Sequence, residues 1–92
     1  MYQILPYTYA QAKKYNLIVK ASNRKNKKID VYDKNGKYLS SAGHIAYLDY
    51  PYFKKYFGSE IANSRRKAYK LRHKNDRIKK NTPGWFADKL LW

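Results

Sequence analysis

The chain has 92 residues, 43% of them hydrophobic, no cysteine, and 21 lysines and arginines against six acids, a net charge of +15. That length gives a single domain, residues 1–92, with a modest core, and excludes a second domain. The missing cysteines exclude disulfide scaffolds, thiolate zinc sites and cysteine nucleophiles.

The first element in chain order is a helix over Pro6–Asn16, with Thr8 as its N-cap and Asn16 as its stop. The segment Met1–Tyr15 has no apolar core of the signal-peptide kind, so no signal peptide is expected. No apolar run approaches the roughly 18 residues of a membrane span. Leu17–Ser22 is short and β-rich and predicts a strand. The "NRKNKK" stretch, residues 23–28, reads as a loop carrying Arg24, Lys25, Lys27 and Lys28. Ile29–Asp33 alternates apolar and polar residues and predicts a second strand. Asn35–Gly36 then predicts a type I′ hairpin turn, which needs positive φ at both central residues. Tyr38–Gly43 is the returning strand of a three-stranded antiparallel sheet. Pro51 opens a short helix that Gly58 stops. A longer helix follows from Ser59 to about Lys79, with Pro83–Gly84 as its breaker. Trp85, Phe86, Leu90, Leu91 and Trp92 form a docked final turn and the candidate interface residues. The fold class is α+β.

Charge sets the functional reading. Residues 1–58 carry 11 cations and 3 acids, and residues 59–92 carry 10 and 3, so the excess belongs to the folded body and not to a tail. A chain so unbalanced attracts a polyanion, and its self-repulsion is relieved when one binds. On a helical wheel of 100° per residue, Phe57, Ile61, Ala68, Leu71 and Ile78 share one arc, which predicts the core face. Arg66, Lys67, Lys70, Lys74 and Arg77 share the opposite arc with no acid among them. Like charges at i,i+4 repel, so such a row points to an anionic partner. Together with Arg24, Lys25, Lys27 and Lys28 these are the candidate anion- or nucleic-acid-binding residues. Reversing the charge of Arg66 and Lys70 is then expected to weaken polyanion binding with little loss of stability. No zinc ligands, helix-turn-helix or base-reading aromatic motif is present, so contacts to phosphates without sequence preference are expected.

Signals for chemistry are sparse. His44 and His73 have no companion at ligand spacing and read as structural residues. The acids Asp30, Asp33, Asp49, Glu60, Asp76 and Asp88 are scattered, and the four glycines form no phosphate loop. No catalytic residues, metal, cofactor or small-molecule substrate are expected.

The segments "SNRKNKKIDVYDKNGKYLSSAG", "YLDYPYFKKYFGSEIANSRRKAYKLRHKNDR" and "TPGWFADKLLW" resemble a family of small basic proteins of uncharacterised function encoded by large nucleocytoplasmic DNA viruses. The resemblance covers nearly the whole chain. Arg65, Arg66, Tyr69, Arg72 and His73, with the terminal Trp92, carry most of it. It implies a viral protein located in the virion and, as its role, a non-enzymatic minor capsid or cement component. The implied partners are other capsid proteins, double-stranded DNA or an anionic internal membrane surface. The alternative is a sequence-independent, genome-associated DNA-binding protein.

Overall fold

A computed structural model describes residues 1–92. Its elements run α1 (Pro6–Lys14), β1 (Leu17–Ala21), β2 (Lys27–Asp33), β3 (Tyr38–His44), α2 (Tyr50–Phe57), α3 (Ser59–Arg72) and α4 (Pro83–Leu91). This is the expected small α+β domain, with the helix first and a three-stranded antiparallel sheet in the order β1-β2-β3. No helix is long and apolar enough to cross a membrane.

The sheet forms where β-branched residues cluster. Val19 pairs with Val31, Ala21 with Ile29, and Ile29 with Ala42 across the three strands. These side chains point one way and pack against Ala12 of α1 and Phe86, Leu90 and Leu91 of α4. Ile29, Val31, Phe86, Leu90 and Leu91 are fully buried. Each such side chain stabilises the fold by about 1.5–3 kcal/mol. The segment expected to be a final docked turn is therefore a nine-residue helix that supplies four of the nine buried core residues. Pro83 does not break a helix here; it opens α4 at the first turn, where its missing N–H costs nothing. Thr82 caps this helix by accepting from the Trp85 N–H at 3.2 Å.

Three local expectations change and one holds. Thr8 is not the N-cap of α1, which begins earlier at Pro6 behind an extended Leu5; Thr8 lies fully buried and its hydroxyl has no hydrogen-bond partner. Asn16 does stop the helix, in the left-handed region at φ 57°. Lys27 and Lys28 belong to β2 and not to the preceding loop. The hairpin is not type I′, because only Gly36, at φ 87°, has positive φ. Asp33 controls this turn. Its carbonyl accepts from the Gly36 N–H, and its carboxylate accepts from the N–H groups of Asn35 and Lys37 at 2.9 Å each. That is the three-residue hairpin with glycine at the left-handed position.

The long basic helix is shorter than its charge pattern suggests. It ends at Arg72, and residues 73–82 form a string of turns tied by Arg77 N–H to His73 O, Lys79 N–H to Asp76 O and Thr82 N–H to Lys79 O. His73, Asn75 and Asp76 are weak helix formers, and Asp76 engages His73 through its side chain instead.

Candidate functional site: a cationic surface and an aromatic cleft

The orientation of α3 decides which cations are available. Its buried residues are Ala62 and Tyr69. Phe57, Ile61, Leu71 and Ile78 are exposed, at 55%, 45%, 71% and 66%, and Ala68 is exposed as well. The helix is thus turned by roughly 140° from the position its apolar stripe suggests. The reason lies in its neighbours. Tyr69 stacks on Trp92 with ring centroids 4.3 Å apart and planes 5° apart. The Arg66 guanidinium lies 3.5 Å from the centre of the Tyr50 ring. Lys70 reaches the buried carboxylate of Asp88 at 2.6 Å. Arg77 comes to 4.0 Å of the same carboxylate and donates from Nε to the Lys70 carbonyl at 3.0 Å. Stacking, cation–π contact and an ion pair to a helix-borne aspartate outweigh the transfer of a few aliphatic side chains.

The nine expected anion-binding residues therefore divide. Lys67 and Lys74 are exposed and have no carboxylate within 4 Å, as are Lys25 and Lys27. Arg24 is exposed but lies over the Tyr38 ring at 4.6 Å, with its Nε 3.6 Å from Asp30. Arg66, Lys70 and Arg77 are half-buried and engaged as described, so they do not form a free outward face. Lys28 is buried: its side chain is 4% exposed, and its Nζ donates to Asp49 Oδ2 at 2.9 Å. Charge complementarity inside the chain took these residues, because a buried carboxylate requires a partner. Among the expected interface residues, Phe86, Leu90 and Leu91 are core and unavailable. Trp85 and Trp92 are half-buried.

Two buried aspartates organise this arrangement. Asp49 caps α2 through the Tyr52 N–H at 3.3 Å, accepts the Tyr2 hydroxyl at 2.6 Å and holds Lys28. Burial, with the negative charge of Asp49, pushes the Tyr2 phenol well above its ordinary range. Asp88 faces Lys70, Lys89 and Arg77 from within α4. Burial raises the Tyr69 phenol to about 12, with the charges of Asp88 and Asp76 acting in the same direction. Asp76 is exposed, and the hydrogen bond from His73 at 3.0 Å holds its carboxyl below the ordinary range.

Sequence reasoning did not find the largest concavity. A cleft of about 720 Å³ lies between the end of β3, α2, α3 and α4. Arg65, Tyr69, Arg72 and His73 line it from α3 and its C-terminal end, Trp92 from beyond α4, and Tyr47 from the loop after β3. The signal was present: "RRKAYKLRH" places Arg65, Tyr69 and Arg72 at i, i+4 and i+7 on one helical face. Comparison of the chain with protein-family models, with curated proteins and with solved structures gives no match.

Proposed function

We propose that this is a non-enzymatic structural protein, a minor capsid or cement component of a large DNA-virus particle, that holds anionic neighbours through a free cationic surface. One observation carries the reading. Of the 21 lysines and arginines, five lie within 4 Å of a carboxylate, which leaves sixteen with none. Three of the six acids, Asp30, Asp49 and Asp88, are buried, so few remain to screen that surface. A folded body with so much unopposed charge is stabilised by an external anion. The exposed apolar side chains of Phe57, Ile61, Leu71 and Ile78, on α2, on α3 and in the turns after it, support contact with neighbouring proteins.

The test is location. Particles are opened under mild conditions that release the genome, and the chain is followed by quantitative mass spectrometry. Retention with the shell supports the capsid reading. Departure with the genome replaces it with the second reading, a sequence-independent DNA-binding protein. That alternative is favoured by Lys67, Arg72, Lys74, Lys79 and Lys80, which are exposed and unpaired within one stretch. It requires micromolar binding to random duplex DNA, with a log–log salt slope of several units.

A further inference from the structure

The cleft beside α3 differs in character from the diffuse charge of the surface. Its floor is aromatic. Tyr69 and Trp92 stack in parallel, and the His73 ring lies 4.5 Å from the Tyr69 ring. Phe53 closes one side, 6.2 Å from Trp92. Tyr47 also lines the cleft; it is 71% exposed and makes an edge contact with His44. The rim is cationic. Arg65 and Arg72 are exposed, have no carboxylate within 4 Å, and stand seven residues apart on α3, roughly 10 Å along its axis. Lys27 adds a third free charge. Asp76 is the only acid on the lining, and it is already engaged by His73.

We infer that this cleft binds a nucleotide unit with an unpaired base: the base stacks against Tyr47 and Trp92, and the phosphate meets Arg65 and Arg72. Aromatic faces accept any base, and arginines at the edge hold the phosphate, which together are the elements of single-strand recognition. A volume of about 720 Å³ falls in the range of sites for single small ligands and is too small to admit a duplex. Charge alone would attract phosphate anywhere on this protein; the exposed Tyr47 ring and the half-buried Trp92 are what select a base. The inference does not rest on the particle reading, because a shell protein and a genome-bound protein would carry the same cleft.

The experiment uses the full chain with Trp85→Phe, which leaves Trp92 as the single fluorescent indole. Four ligands are titrated at fixed ionic strength: thymidine monophosphate, an eight-residue oligothymidylate, a blunt duplex of the same length and inorganic phosphate. Quenching by the oligonucleotide that saturates is expected, with inorganic phosphate ineffective at the same concentrations. Equal affinity per nucleotide for the monophosphate identifies a free nucleotide as the ligand; a much tighter oligonucleotide identifies a strand. Tyr47→Ala and Arg72→Ala, both exposed positions, should each weaken binding about fivefold or more while the melting temperature stays unchanged. Lys34→Ala, which removes one charge outside the cleft, is the control and should change it far less. Absence of saturable quenching overturns the inference. So does displacement by inorganic phosphate as effective as by the nucleotide, an equal loss in Lys34→Ala, or equal quenching by a blunt duplex of the same length.

Discussion

Replacement of Lys28 by methionine isolates the most deeply buried charge in the molecule. The Lys28 side chain is 4% exposed and that of Asp49 is 0% exposed, with Nζ and Oδ2 2.9 Å apart. Methionine conserves the volume of the aliphatic stem but leaves the carboxylate without its cation. Removing one partner of a buried pair costs about 3–5 kcal/mol. Asp49 keeps the Tyr2 hydroxyl at 2.6 Å and the Tyr52 N–H at 3.3 Å, so the loss should fall near the lower end, about 3 kcal/mol. A chain of this length has a total stability of about 5–14 kcal/mol, and 3 kcal/mol corresponds to a fall in Tm of about 12–24 °C. Urea unfolding followed by far-ultraviolet circular dichroism gives the free energy directly. Adding Asp49→Asn to Lys28→Met removes the orphaned charge while retaining the α2 cap, and most of the loss should be recovered. A cost below about 1 kcal/mol for Lys28→Met, or the same cost with aspartate or asparagine at 49, would refute the reasoning.

Four other perturbations follow from the same geometry. Arg66→Glu with Lys70→Glu should destabilise strongly, by about 3 kcal/mol or more, because it sets a carboxylate beside buried Asp88 and removes the guanidinium from Tyr50; this reverses the expectation drawn from the helical wheel, and an unchanged melting temperature would restore it. The exposed pair Lys67→Glu and Lys74→Glu should leave the melting temperature nearly unchanged. Gly43→Ala should cost about 1–3 kcal/mol in chemical denaturation, because φ is +80° and a Cβ would lie 2.7 Å from Leu91 Cδ1 and 2.9 Å from Lys28 Cδ; wild-type stability would show that the close approach relaxes freely. At high pH the folded state holds the Tyr69 proton to about 12 against an ordinary value of 10.0. The contribution of Tyr69 is thus complete below pH 10 and is lost as pH rises through about 12. Melting temperatures measured from pH 9 to pH 12 should fall, and Tyr69→Phe should flatten that decline.

The strands and the starts of α2 and α3 were legible because short-range rules govern them. The β-branched residues of β1 and β2, Asp49–Tyr50–Pro51 at the start of α2 and Gly58 between two helices each act over a few positions. The orientation of α3 was not legible, because a wheel weighs hydrophobicity while the contacts that set this helix are Arg66 on Tyr50, Lys70 on Asp88 and Tyr69 on Trp92. All three join α3 to distant segments, and two use residues that a wheel scores as polar. The same blindness concealed Lys28: "NRKNKK" looks like a solvated loop until Asp49, 21 residues later, is brought against it. The terminal helix was underestimated because Thr82–Pro83 serves equally well as an end or a beginning, and only the packing of Phe86, Leu90 and Leu91 decides between them.

The placement of α4 has a consequence for how the protein is made. The hydrophobic side of the sheet, complete once His44 has been synthesised, is covered by Phe86, Leu90 and Leu91. Some forty residues of translation separate the two, on the order of seconds at typical elongation rates. Through that interval the nascent chain presents an uncovered apolar sheet together with an excess of positive charge. The ribosome is itself a polyanion, so the time before the last helix emerges is when this chain is most exposed to capture by ribosomal RNA and most in need of a chaperone.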